Sequence, residues 1–141
     1  MTISVLLVDE HPIFREGVRT LLETISEFNI IGEADDGKEA LVLAELLHPD
    51  VVMLDYVVPG LNGPDVTRAL HKKLPETHVV FLSIHADKVY TRNAIESGAK
   101  GYIVKYDILD HLLKAVRAAA TGHPYFSPCL GVPAISSGKG D

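Results

Sequence analysis

The sequence predicts an α/β protein built on a doubly wound parallel sheet. Five short runs of apolar, largely β-branched residues alternate with five longer stretches whose apolar residues recur at helical spacing. Such an alternation implies parallel strands joined by right-handed crossovers, because each helix must carry the chain back across the sheet. Three of the short runs are apolar almost throughout, as strands covered by helices on both faces are. With 141 residues, 47% of them hydrophobic, there is chain enough for one core.

Taken in order, the first strand is Ile3 to Val8, and the helix after it presents Ile13, Val18, Leu21 and Leu22. The second strand, Phe28 to Ala34, has its exit bracketed by Gly32 and Gly37. Its helix carries Ala40, Leu41, Ala44 and Leu47 and stops at His48-Pro49. Val51 to Leu54 forms the third strand, followed by a helix with Val66, Ala69 and Leu70 that ends at Leu74-Pro75. The fourth strand is His78 to Ser83, and its helix runs from Val89 through Ile95 to Gly98. Gly101 to Val104 is the fifth strand. Leu109, Leu112, Leu113, Val116 and Ala119 mark the last helix, which Gly122-His123-Pro124 closes. Residues 1–122 thus read as one domain and 123–141, rich in proline, glycine and serine without a period, as a linker or flexible tail.

Composition narrows the function. Thirteen Lys and Arg against nineteen Asp and Glu give a net charge of −6, which argues against broad attachment to nucleic acid or anionic membrane. The single cysteine, Cys129, excludes an intramolecular disulfide framework and a multi-cysteine zinc site. The first residues lack a basic stretch and cleavage site, and no apolar run reaches the length of a membrane span, so a cytoplasmic protein is expected.

In an open parallel sheet the site lies outside the carboxyl ends of the strands, where strand order reverses. Strand one ends in Asp9-Glu10, strand three in Asp55, strand four in Ser83 and strand five is followed by Lys105. Each residue alone has an ordinary explanation. Asp9 or Glu10 would cap the first helix, Asp55 would be a solvated loop acid, Ser83 would cap the fourth helix, and Lys105 would lie along the surface. The coincidence at four of five strand ends is what points to a site. Clustered carboxylates need a cation, and oxygen ligands beside a phosphate suit Mg2+. Such a set serves phosphoryl transfer: Asp55, on a central strand, as nucleophile, with Ser83 and Lys105 on the phosphoryl oxygens. His11, near the acids, reads as a loop or capping residue.

The motifs carry a resemblance over residues 3 to about 122. They are Val8-Asp9-Glu10-His11-Pro12, Leu54-Asp55 followed by Pro59-Gly60 and Gly63, Phe81-Leu82-Ser83, and Gly98 through Gly101-Tyr102-Ile103-Val104-Lys105. The chain resembles a receiver domain of a two-component response regulator, most of all the subfamily that continues into a LuxR-type helix-turn-helix output domain. The resemblance implies the flavodoxin-like receiver fold, five strands in the order 2-1-3-4-5 with five helices. It makes Asp55 the phosphoacceptor, and Asp9, Glu10, Asp55 and the Val57 carbonyl the ligands of Mg2+. Ser83 and Lys105 would bind the phosphoryl group, and Tyr102 would turn inward with Ser83 on phosphorylation. Two positions depart from the pattern: Glu10 stands where the subfamily usually has Asp, and Tyr106 where many receivers have Pro.

The expected function is a phosphorylation-activated switch loaded by a sensor histidine kinase, catalysing only its own phosphorylation and dephosphorylation. Helix four, strand five and helix five would form a homodimer surface. A phosphohydrolase using the same aspartyl chemistry would want a second carboxylate at position 57, which is Val. A stand-alone phosphoryl carrier and an inert pseudo-receiver are also compatible with the fold; the intact Asp9, Asp55, Ser83 and Lys105 set speaks against the inert one. No DNA binding is expected of these residues themselves, since the tail has one cation, Lys139, and a transcriptional role would need an output domain outside this chain.

Overall fold

A computed structural model describes residues 2–130, and the part of the tail assignment that concerns 131–141 lies outside the described residues. The elements are β1 (Ile3–Val8), α1 (Pro12–Glu23), β2 (Phe28–Ala34), α2 (Gly37–Leu47), β3 (Val51–Asp55), α3 (Gly63–Lys73), β4 (His78–Ser83), α4 (Lys88–Ser97), β5 (Gly101–Val104), α5 (Ile108–Ala120) and β6 (Tyr125–Phe126). All neighbouring strands pair in parallel, in the order β2-β1-β3-β4-β5-β6. The doubly wound α/β architecture and the order 2-1-3-4-5 are as expected, with one correction: the sheet has six strands, not five. β6 falls where the sequence reads as tail, because two residues are too few to show a period. Tertiary hydrogen bonds hold it. Tyr125 N donates to Lys100 O at 2.8 Å, Ser127 N to Tyr102 O at 2.9 Å, and Val104 N to Ser127 Oγ at 3.1 Å. Leu130, ending a 3₁₀ turn from Pro128, is buried against the core.

The two-residue alternation of the strands divides the core into two layers. Leu6, Val8, Val52, Leu54, Val79, Phe81, Tyr102 and Val104 pack with buried residues of α2, α3 and α4. Val5, Leu7, Val51, Met53, Val80, Leu82 and Ile103 pack with α1 and α5, through Val18, Leu22, Leu112, Ala115 and Val116. Ile13 and Leu109, which share the helical spacing of those core residues, are 86% and 80% exposed. Both sit in the first turn of a helix, where the adjacent Phe14 and Ile108 are the residues that pack against the core.

The ends of the elements follow local chemistry. Asp36 and Asn62 cap α2 and α3 by accepting from the amides of Glu39 and Asp65 at 2.7 and 2.9 Å. Gly98 ends α4 with φ 103°, a left-handed conformation natural to glycine. Gly32 lies inside β2 rather than at its exit, paired with Leu6 just after a register shift. Among the described residues no helix is long and apolar enough to cross a membrane.

His78, which opens β4, carries a pH dependence. Burial, then the nearby charges of Lys100 and His71, holds its pKa below the ordinary 6.5. The folded state therefore resists a proton that the unfolded chain accepts, so this contribution to stability is full above about pH 6.5 and falls as pH drops through it. Urea denaturation at pH 7.5 and 5.5 should show a smaller acid-induced loss of stability in His78→Gln than in the wild type. An equal loss in both would contradict the assignment.

Candidate functional site

Strand register assembles the site. Val8 pairs with Leu54, Asp55 with Leu82, and Ser83 with Val104. One step along each strand then sets Asp9 beside Asp55, and Lys105 beyond Ser83, at the carboxyl edge where β1 and β3 part to opposite sides of the sheet. The alternation also sorts them by layer. Asp9, Asp55 and Lys105 continue the parity of the α1/α5 layer, whereas Ser83 and Tyr102 belong to the layer under α4.

Lys105 is the centre of the acid cluster. Its Nζ donates to Asp9 Oδ2 at 2.8 Å and to Asp55 Oδ2 at 3.0 Å, and all three side chains are largely buried. The Phe14 ring lies beneath the ammonium, 4.2 Å from centroid to Nζ. Burial pushes the Asp55 carboxyl above the usual carboxylate value; the Lys105 charge opposes that shift and the Asp9 charge adds to it. Asp55 Oδ1 accepts weakly from Val57 N at 3.3 Å. Asp9 is held at its backbone as well, where its carbonyl accepts from the Arg15 guanidinium, itself paired with Glu33 at 2.7 Å.

Glu10 and His11 follow Asp9 at the mouth of the acid cluster. Glu10 is exposed and lines the rim of a cavity of about 190 Å³ shared with Asp55, Val57 and Lys105. The side chain that joins the two buried carboxylates is His11, whose Nδ1 stands 3.0 Å from Asp9 Oδ1 and 3.9 Å from Asp55 Oδ2. His11 is the N-cap residue of α1 but makes no side-chain cap. Its position two residues after Asp9 is the one sequence signal that could have placed it. Phe14 and Arg15 left none, since helical spacing does not say what lies beyond the sheet edge.

Ser83 does not cap α4, whose N-cap is Asp87; its Oγ accepts from His85 N at 3.0 Å. Tyr102 already points inward, fully buried, with its hydroxyl donating to the His85 carbonyl at 2.7 Å and its pKa pushed by burial up to about 12. The inward turn expected to await phosphorylation is the position found here. Tyr56 joins Phe81 and Tyr90 at centroid distances of 5.3 and 5.1 Å, and the His85 ring stacks on Tyr90 at 4.2 Å. Aromatic contacts thus run from the residue after Asp55 to α4.

This arrangement has known counterparts. Residues 5–117 match the model of the response regulator receiver domain. The chain belongs to the response regulator receiver domain family. It is 37% identical over 89% of its length to the transcriptional regulatory protein DegU of Brevibacillus brevis, and 36% identical over 90% to the nitrate/nitrite response regulator protein NarL of Escherichia coli K12. It spans 53% and 59% of those relatives. Among solved structures, a LuxR-family two-component response regulator from an Aurantimonas species superposes with a TM-score of 0.88 at 32% identity, covering 93% of this chain and 94% of that one.

For this receiver the Lys105 bridge makes a stability prediction. Lys105→Met leaves two buried carboxylates facing each other without a cation, a loss on the order of 3 kcal/mol. Most of it should return when Asp55→Asn is added, since one charge then remains. Chemical denaturation of the two single variants and the double variant at neutral pH measures this, and additive losses would overturn the bridge as the organising contact.

Proposed function

We propose that this receiver is a phosphorylation-activated switch whose phosphoacceptor is Asp55, loaded by a sensor histidine kinase. The observation that carries this reading is the placement of Asp55: a buried carboxylate 3.0 Å from an ammonium, opening on a cavity at the switch point of a parallel sheet. A carboxylate oxygen of Asp55 attacks phosphorus, the new P–O bond forms, and the P–N bond to the donor imidazole breaks. Lys105 then pairs with one phosphoryl oxygen, and the Ser83 hydroxyl, turned from His85 N, donates to another. Attack of water on phosphorus returns the carboxylate and frees phosphate, so the protein acts as a switch rather than a metabolic enzyme.

The donor set fits a hard divalent ion. Two buried carboxylates share one ammonium, and the Asp55 carboxylate opens on the cavity. Asp9 and Asp55, with the Val57 carbonyl and Glu10 from the rim, would hold Mg2+. When bound, Mg2+ supplies positive charge to the phosphoryl oxygens. Lys105 meanwhile orients Asp55, and Phe14 keeps water from one side of the ammonium.

The names of the relatives support a role in transcriptional regulation, exerted through a further domain that reads DNA. The surface for a second subunit is read as α4, β6 and α5, in place of α4, β5 and α5, because β6 covers the edge of β5. A cytoplasmic location accords with both partners.

Incubation with acetyl phosphate and Mg2+ should add one phosphoryl group by intact mass. Asp55→Asn should abolish the adduct, and its persistence would sink the assignment. Ser83→Ala should still accept the group but lose the response of α4, read from amide shifts on adding beryllofluoride with Mg2+. Matching shifts in variant and wild type would refute the coupling through Ser83.

A further inference from the structure

We propose that Ser127 is a positioning residue for the phosphoryl site: through it the segment after α5 grips the backbone that carries Tyr102 and Lys105, so that docking of this segment and filling of the Asp55 site favour each other. The inference rests on the phosphoacceptor reading above and adds to it a residue that does not line the cavity. Ser127 is 1% exposed, and its amide and its hydroxyl are both spent on β5. The amide donates to Tyr102 O at 2.9 Å, and the hydroxyl oxygen accepts from Val104 N at 3.1 Å.

β6 stops at Phe126, so the donor at Val104 N meets a side-chain oxygen where a longer strand would offer a carbonyl. Val104 is fully buried, and an amide left unpaired there is costly. It is also the residue before Lys105. The same segment is fastened beyond Lys105 as well. The Tyr125 hydroxyl meets His111 Nδ1 at 2.6 Å, and His111 Nε2 stands 3.1 Å from Asp107 Oδ2, at the end of the 3₁₀ turn that Lys105 opens. Lys105 therefore lies between two attachments of one short segment. Phe126 and Leu130 pack in the layer of Tyr102, and Tyr125 packs in the layer of α5.

Preorganisation sets the sign of the coupling. A Lys105 turn held on both sides delivers the ammonium to the acid cluster in one geometry, so a phosphoryl group on Asp55 meets it without further ordering. Tyr102 adds to this. The loop at His85 is held by Ser83 Oγ, by the Tyr102 hydroxyl and by the Tyr90 ring. Once the Ser83 hydroxyl turns to a phosphoryl oxygen, Tyr102 and Tyr90 are the remaining holds of those three, and the Ser127 grip on the Tyr102 carbonyl counts for more in the loaded state. Linkage runs both ways: the factor by which the docked segment strengthens phosphoryl binding is the factor by which phosphoryl binding strengthens docking.

The test uses the full chain with Mg2+ and beryllofluoride as the phosphoryl mimic. Calorimetric titration should show affinity for beryllofluoride lowered about fivefold or more in Ser127→Ala, and by a smaller factor in Tyr125→Phe, which cuts only the His111 contact. In the wild type, amide exchange at Ser127 and Val104 should slow by at least the factor that Ser127→Ala loses when beryllofluoride is added. Should Ser127→Ala fail to fold, Tyr125→Phe and the wild-type exchange rates carry the same test. Unchanged affinity in the folded variants, even with a lower urea midpoint, would make Ser127 structural only and overturn the proposal. Exchange at Ser127 that is unchanged or faster on adding beryllofluoride overturns it too. Both results count against Ser127 alone when beryllofluoride binds the wild type and not Asp55→Asn. If it fails to bind the wild type, or binds Asp55→Asn equally well, the phosphoacceptor reading falls as well.

Discussion

The Lys105 ammonium, shared by the carboxylates of Asp9 and Asp55, is the contact on which the rest of the site depends. Two buried acids side by side repel each other and resist ionisation, and burial alone already raises the pKa of Asp55. The ammonium offsets that without closing the site, because Val57 and Glu10 leave the outer side of Asp55 open to a cavity. Lys105 reaches both acids only because β5 stands two strands from β3 with Ser83 against Val104. A slip of one residue in that register would turn Lys105 to the other face of the sheet.

The same parity sets the acid cluster and the Ser83/Tyr102 pair on opposite layers. The acids and Lys105 continue the α1/α5 layer, while Ser83 and Tyr102 project into the layer of α2, α3 and α4. Ser83 and Asp55 are neighbours at the sheet edge but belong to opposite layers. Ser83 Oγ accepts from His85 N, and the loop at His85 is held in turn by Tyr102 and Tyr90. The aromatic contacts from Tyr56 to Tyr90 give α4 a second link to the residue beside Asp55.

β6 alters the outer edge of the sheet. An open edge at β5 would expose unpaired backbone groups to another chain. Tyr125 and Phe126 satisfy that edge, and Ser127 binds the backbone of both Tyr102 and Val104. Asp107, His111 and the Tyr125 hydroxyl form a further chain of contacts, at 3.1 and 2.6 Å, that ties the strand to α5. The segment that follows α5 is thus bonded to the strand that carries Tyr102 and precedes Lys105.

By itself the sequence determined the strand and helix alternation, the parallel sheet, and the convergence of Asp9, Asp55, Ser83 and Lys105. Each of these rests on a period or on a residue type at the end of a strand, and such signals are local. Tertiary structure alone decided three things. β6 exists because β5 offers it hydrogen bonds, not because Tyr125-Phe126 prefers a strand. Ile13 and Leu109 share the spacing of core residues, yet stay exposed while Phe14 and Ile108 beside them pack against the core. His11, not Glu10, joins the buried acids, because the turn into α1 aims the side chain of residue 11 across Asp9 and leaves that of residue 10 exposed at the cavity's rim. Direction of this kind depends on how a turn is held by its neighbours, and residue order does not encode it.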